Sequence, residues 1–293
     1  MKFYAKRIIL YVALFFVSSF LNFCKLSTES EQDPTTDYSA LIPDTLHSEI
    51  INDDFRIYTY VPRMYDSQKS DGYDVCYITD GDWSFYNLTT RDTVYPGFVS
   101  LANQLTQDGI IPPCITIGIG YVHENMRYRD YYSPPDTMYL EYGHADMFYQ
   151  FLRQELIPLV DSRLNTKKEN GRILFGNSAG GYFSIYAFLR YDNNSGVVFN
   201  KIIASTPRVN HWSNHLLVHA EECYRLNGNN IPVKLFYAFG TTGGELSEEQ
   251  LNQFVPEFES YGFDTKMVIY EGASHGTVFY PAVTDGLTWL FSE

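Results

Sequence analysis

The chain has 293 residues, 45% of them hydrophobic, enough to bury a large core as one α/β domain or as two small ones, and one domain is the simpler reading. Its 35 acidic residues against 21 basic ones give a net charge of −14, which argues against nucleic acid and anionic membrane surfaces as partners. Aromatic residues make up 17% of the chain, with 25 Tyr and 21 Phe, a composition that suits large apolar surfaces with polar tips or a cleft for rings or sugars.

At the N-terminus Lys2, Lys6 and Arg7 precede an apolar run from Ile8 to Phe20 broken by Ser18 and Ser19, the pattern of an export signal over residues 1–23. The run is shorter than the ~20 apolar residues that cross a bilayer. Leu21-Asn22-Phe23-Cys24 resembles a loose bacterial lipoprotein box with Cys24 as the lipidated residue, although Phe23 is bulky for its place. An uncleaved anchor and a weakly marked secretory signal are the alternatives. Residues 24–44 read as a tether and 45–293 as the folded domain. Residues 1–23 hold three basic residues and no acidic one, so their removal takes the net charge to −17. The other cysteines, Cys76, Cys114 and Cys223, are odd in number and lack metal-type spacing, so buried free thiols are expected.

Beyond the tether, short β-branched and aromatic runs alternate with helical patterns. Phe55 to Val61 alternates like a strand near a sheet edge. Asp74–Thr79, Cys114–Ile119, Ile173–Phe175, Lys201–Ser205, Val233–Phe239 and Lys266–Tyr270 are mostly continuous apolar runs, as in strands covered on both faces. Between them, Phe148, Phe151, Leu152, Leu156, Val160 and Leu164 recur at three and four and predict a helix within His144 to Leu164. Ser247-x-x-Gln250 is a capping-box pattern opening a helix through Phe258, and Pro281 to Phe291 predicts a final one. The alternation implies an α/β fold, a mostly parallel sheet with helices on both faces.

One motif stands between an apolar run and a helical pattern: Gly176-Asn177-Ser178-Ala179-Gly180, a G-x-S-x-G pentapeptide. A strand turning abruptly into a helix exposes the central serine, and glycines on either side leave room for the close approach of strand and helix. Ser178 is thus the candidate nucleophile. A serine hydroxyl needs a base, and the base an orienting acid. Of seven histidines, His275 lies after a late strand, on the Gly-bracketed loop Gly272-Ala273-Ser274-His275-Gly276, where the base is expected. The acid should follow the strand ending at Phe239-Gly240, and Glu245 is the first carboxylate there, with Glu248 and Glu249 as competitors. The oxyanion of a tetrahedral intermediate needs two donors. The backbone N–H of Ala179 and, from the early loop Thr79-Asp80-Gly81-Asp82-Trp83, that of Asp82 are the candidates. Asp80 and Asp82 read as a metal pair only weakly, with no third ligand nearby. His211, His215 and His219, four apart, could share a helix face in metal geometry, but His211 as a cleft contact is the more plausible reading.

These pieces together resemble the esterase family of the α/β-hydrolase superfamily, which includes esterase D, feruloyl esterases, the mycolyltransferase antigens and the siderophore esterases. The resemblance spans Thr45 to Phe291 and rests on Tyr77-Ile78-Thr79-Asp80-Gly81-Asp82, on Ile117-Gly118-Ile119-Gly120-Tyr121 leading to Arg127-Tyr128-Arg129-Asp130-Tyr131-Tyr132-Ser133-Pro134-Pro135, on the serine elbow, on Ala204-Ser205-Thr206-Pro207 with Trp212, and on the His275 loop. The second of these looks most like the siderophore esterases. Gly243-Gly244 departs from the pattern at the acid loop. The resemblance implies an α/β-hydrolase fold, a serine carboxylester hydrolase working through an acyl-enzyme on an aromatic (feruloyl or catecholate-type) or acetyl ester, and no cofactor. It implies further that Trp83, Arg129, Asp130, His211 and Trp212 meet the substrate or shape the cleft. Tyr121 to Tyr142 carries six tyrosines and suits either an aromatic- or glycan-binding loop or a packed surface loop. Acyl transfer by the same fold and glycan binding without turnover are the alternative functions, and the membrane enters only through a lipid on Cys24.

Overall fold

The computed structural model describes residues 42–85, 88–90, 93–133, 142–191, 196–209, 213–242 and 248–292. The chain runs β1 (Thr45–Ser48), β2 (Asp53–Tyr60), β3 (Asp74–Ile78), α1 (Gly81–Ser84), β4 (Leu88–Thr90), β5 (Thr93–Tyr95), α2 (Phe98–Gln107), β6 (Cys114–Tyr121) and α3 (Arg127–Tyr131). There follow α4 (Ala145–Phe151), a π-helical stretch at Leu152–Leu156 that continues into α5 (Ile157–Arg163), then β7 (Arg172–Asn177), α6 (Ala179–Leu189), β8 (Lys201–Ser205), α7 (Ser213–Asn227), β9 (Lys234–Thr242), α8 (Glu248–Ser260), β10 (Thr265–Ser274) and α9 (Phe279–Phe291).

The apolar runs become the inner strands of an eight-stranded sheet in the order β1-β2-β6-β3-β7-β8-β9-β10, while β4 and β5 pair as a separate hairpin. From β6 to β10 all neighbours are parallel; β2 joins β6 antiparallel and carries β1 at the edge. The chain reverses its direction of travel across the sheet at β3, which pairs with β6 on one side and β7 on the other. Such a switch point opens a crevice at the carboxyl ends of the strands, where an α/β sheet binds ligands.

Period-two alternation divides the inner strands between two cores. On one face Cys76, Ile78, Ile173, Phe175, Ile203 and Phe236 meet α2 and α9 through Phe98, Ala102, Val283 and Leu287. On the other, Val75, Tyr77, Leu174, Ile202, Leu235 and Tyr237 lie under α4 to α8. Every residue of α6 is buried, so this helix has no polar face and no amphipathic pattern to read. Cys76, Cys114 and Cys223 are free and buried.

At the opposite edge from the crevice, the buried Asp74 at the start of β3 binds Lys167 Nζ at 2.6 Å and Lys201 Nζ at 3.4 Å, tying β3 to the loop before β7 and to β8. A carboxylate so enclosed is stabilising only while both cations face it. Asp74→Ala should lower the unfolding free energy by about 2–3 kcal/mol in urea titrations, and an unchanged midpoint would remove this pin from the account.

Candidate active site

β7 ends at Asn177 and α6 begins at Ala179, so Ser178 alone makes the turn. Its φ of 61° and ψ of −118° lie outside the regions open to an ordinary L-residue, a sharp strand-to-helix elbow. Three bonds hold it there: its N–H donates to Ser205 O at 2.9 Å, and its carbonyl accepts from Tyr182 N at 3.0 Å and Arg208 N at 3.1 Å. The flanking glycines are required by space. A Cβ on Gly176 would lie 2.0 Å from the carbonyl oxygen of Gly180, and one on Gly180 would lie 2.2 Å from Thr79 Oγ1.

Strain gathers around this elbow. Asp80 after β3 has φ 51° and Thr206 after β8 has φ 38°, the latter a β-branched residue for which positive φ is a genuine outlier. β3, β7 and β8 are adjacent strands, so three strained residues stand side by side at the crevice. Such clusters persist only where surrounding bonds over-determine them. Here Thr206 donates its N–H to Ala238 O at 2.8 Å, and Asp80 donates its own to Tyr131 Oη at 3.1 Å.

The Asp80 turn leads straight into α1, and the first amides of a helix have no intrahelical acceptor. The N–H of Asp82 in α1 and that of Ala179 in α6 are both in this position, after adjacent strands that stay paired to their ends, where Thr79 N donates to Phe175 O at 3.0 Å. The Asp82 side chain is committed elsewhere: it accepts from Tyr58 Oη at 2.7 Å and Tyr121 N at 2.9 Å, and lies 3.5 Å from Arg56. Gly120 makes this possible, because a Cβ there would sit 2.5 Å from the Asp82 carboxylate. That close approach accounts for the second glycine of the Ile117–Tyr121 motif.

Asp80 itself is 4% exposed and faces the elbow from beneath, its Oδ2 3.3 Å from where a Gly180 Cβ would be. Oδ2 accepts from Arg127 Nη2 at 2.9 Å, while Oδ1 has no partner. Burial pushes the carboxyl up to about 6, against the pull of the Arg127 guanidinium. Arg127 lies in turn over the ring of Trp83, 5.4 Å from its centroid, and Trp83 is 47% exposed. Trp83 is therefore exposed on α1 next to Asp82, covered in part by an arginine that the sequence motif does not single out.

Arg129, two residues on, turns the other way. It donates from Nε and Nη2 to Asp130 at 2.6 and 3.0 Å and from Nη1 to Asp53 Oδ2 at 2.8 Å, tying α3 to β2. Asp130 is 1% exposed. Both residues act as braces between α3 and β2, each charge met within the Arg129–Asp130–Asp53 group. Of the six tyrosines of Tyr121 to Tyr142, Tyr121, Tyr131 and Tyr132 are buried and packed, Tyr128 and Tyr142 are half-buried, and Tyr139 lies outside the described residues.

His275 follows β10, half-buried in a turn leading to α9. Four residues on, Phe279 meets the ring of Phe175 edge-on at 5.3 Å, so the chain after His275 crosses back to β7, the strand that carries Ser178. The loop starts beside the end of β9: Gly272 N donates to Thr241 Oγ1 at 2.8 Å, and Ser274 pairs with Thr242. Glu245 itself, His211 and Trp212 lie outside the described residues, as does the side chain of Glu248. His219 faces Tyr186 at 5.3 Å and Ser133 Oγ at 3.4 Å. Among the described residues no cluster of three or more His, Cys, Asp or Glu could hold a metal ion.

A serine elbow at the switch point of a mostly parallel sheet defines an α/β-hydrolase. Residues 48–216, more than half of the chain, match the family model described as "Putative esterase", and the chain belongs to that esterase family. It is 25% identical over 185 residues to the ferri-bacillibactin esterase BesA of Bacillus subtilis (strain 168), a match covering 58% of this chain and 60% of that protein, less than two thirds of its length. Among solved structures, the BES protein from Bacillus cereus is similar with a TM-score of 0.67 at 20% identity over 85% of this chain and 95% of that one. The enterobactin and salmochelin hydrolase IroE is similar with a TM-score of 0.62 at 19% identity over 85% and 93%. At these identities the two structures establish the shared fold.

Between the ordinary carboxyl range near pH 4 and about pH 6, folded Asp80 keeps a proton that the unfolded chain releases. Its contribution to stability is complete below that window and lost as the pH rises through about 6. Asp80→Asn, neutral throughout and tolerant of positive φ, should flatten the fall of Tm from about pH 4 to 7 relative to wild type. Parallel Tm profiles for the two proteins would mean that Asp80 does not titrate there.

Proposed function

We propose that this protein is a serine carboxylester hydrolase acting on aromatic esters through an acyl-enzyme. The observation that carries the reading is the Ser178 backbone, held by three hydrogen bonds in a conformation that a serine adopts at a cost and that is the geometry of a nucleophile elbow. Ser178 Oγ attacks the ester carbonyl while His275 takes its proton. The N–H groups of Ala179 and Asp82 receive the oxyanion, and Glu245 orients the imidazolium. The intermediate collapses as His275 returns the proton to the leaving alcohol. Water then attacks the acyl-serine by the same route, and the acid is released. Relatives whose names describe a ferri-bacillibactin esterase and an enterobactin and salmochelin hydrolase, together with the half-buried Tyr128 and Tyr142, favour an aromatic acyl or alcohol part over acetyl.

The charged N-terminus and its apolar run support export, with Cys24 as a lipid anchor and residues 45–293 as the esterase domain beyond a tether. No helix of the described residues is long and apolar enough to cross a membrane.

Ser178→Ala and His275→Gln should each cut kcat/KM for 4-nitrophenyl and feruloyl esters by at least ~1,000-fold with folding retained; wild-type rates in Ser178→Ala would end the hydrolase reading. Glu245→Gln should cost far more activity than Glu248→Gln, and the reverse order would move the acid to Glu248. When the full chain is produced in a bacterium, Cys24→Ala should shift the protein from the membrane fraction to the soluble one, an outcome that a plain secretory signal would not give.

A further inference from the structure

Arginines near the crevice are matched with carboxylates. Arg127 pairs with Asp80, Arg129 with Asp130 and Asp53, and, further out, Arg190 with Asp146 and Arg172 with Asp161. Arg208 is the exception. Its backbone N–H donates to the Ser178 carbonyl at 3.1 Å, which anchors its Cα beside the nucleophile, yet among the described residues its guanidinium has no acidic partner. One of its five donors, on Nη1, reaches Tyr128 Oη at 3.0 Å. In a chain with a net charge of −14, a half-buried guanidinium without a carboxylate, on a residue whose amide bonds Ser178, has donors suited to an anion.

What flanks it is aromatic. Tyr182, one turn into α6 from Ser178, packs on Tyr132 at 4.8 Å; Tyr132 stacks on Tyr128 at 5.6 Å with planes 13° apart, and Tyr128 on Tyr142 at 5.5 Å. The series runs from fully buried rings to half-buried ones, and Arg208 is fastened to the third. Its loop has little freedom, because Thr206 is held in its strained conformation by Ala238 O and by Asn177 Oδ1 at 3.1 Å.

We propose that Arg208, held by Tyr128 at the edge of this tyrosine stack, is a specificity-determining residue that selects esters in which an aromatic ring carries a negative group. This rests on the hydrolase reading of Ser178. The ring lies against the half-buried end of the stack, at Tyr142 and the edge of Tyr128, and its carboxylate or phenolate takes the free donors of the guanidinium. Arg127 cannot serve in this way while Asp80 neutralises it.

The test compares charged and neutral partners in two pairs: 4-nitrophenyl 4-carboxybenzoate against 4-nitrophenyl benzoate, with the charge on the acyl part, and 4-acetoxybenzoate against phenyl acetate, with the charge on the alcohol part. Wild type should prefer the charged member of one pair, and which pair identifies the part that meets Arg208. In Arg208→Gln, which keeps the backbone bond to Ser178, that preference should fall about 10- to 100-fold, with the loss in KM more than in kcat. Arg208→Lys should restore part of it, and Tyr128→Phe should lower it severalfold. Ratios unchanged in Arg208→Gln would overturn the proposal. A separate arm measures calorimetric binding of terephthalate and 4-hydroxybenzoate to Ser178→Ala with and without Arg208→Gln. If wild type cleaves no ester but this binding depends on Arg208, the hydrolase reading falls and the anion subsite stands. If wild type is active and neither ratio nor binding depends on Arg208, the subsite falls and the hydrolase reading stands.

Discussion

The arrangement depends on one steric constraint, the contact between β7, α6 and the loop after β3 at Ser178. With the carbonyl of Gly180 where a Gly176 Cβ would be, and Thr79 Oγ1 where a Gly180 Cβ would be, helix and strand approach as closely as backbones can. That closeness leaves no room for a relaxed turn. It forces Ser178 to φ 61° and, by bringing in the neighbouring loops, is accompanied by positive φ at Asp80 and Thr206. Among the described residues, the remaining non-glycine positions with positive φ, Asn52 and Asn170, are of the type that tolerates it and lie away from the three adjacent strand ends. Strain in this molecule is concentrated where an elbow must be rigid, and the two cores beneath supply the packing that offsets it.

Charge follows the same logic. The loops at the strand ends are braced by ion pairs that sequence neighbours do not announce: Arg127 reaches back to Asp80 and Arg129 to Asp53, each joining α3 to an earlier strand end. Burial works against the Asp80 carboxylate and Arg127 works for it, so the pair sits near balance, with the carboxyl at about 6. Asp130, more enclosed still, is likewise raised by burial and held down by Arg129. These are braces with a desolvation cost, retained because α3 must be held against the sheet for Tyr131 and Tyr128 to be where they are.

Much of this was legible in the sequence because its signals are local. The continuous apolar runs mark inner strands, and G-x-S-x-G marks a strand-to-helix turn through the size of its glycines. What was not legible depends on contacts between distant segments. Arg129 beside Asp130 reads as a polar cleft pair, but it is Arg127 that lies over Trp83, since the two arginines point to different sides of a five-residue helix. Six tyrosines in one segment look like a single aromatic surface; Tyr121, Tyr131 and Tyr132 are core, and only packing distinguishes them from Tyr128 and Tyr142. The helix after the elbow has no periodic pattern because all its faces are buried, and β10 runs on past an irregularity after Tyr270 to rejoin β9 at Ser274 through residues of low strand propensity.

Elbow and cleft wall thus place different demands on the chain. The elbow tolerates almost no change of side-chain volume, since a Cβ added to either glycine would lie only 2.0–2.2 Å from an atom of the scaffold itself. The wall around it is built from side chains that touch the elbow through its backbone: Arg208 bonds the Ser178 carbonyl with its amide, and Tyr182 bonds the same oxygen one helical turn away. Side chains at those positions can change while their amides go on holding Ser178. A scaffold arranged in this way keeps its elbow fixed and leaves variation to residues such as Tyr128 and Arg208, whose side chains carry none of the strain.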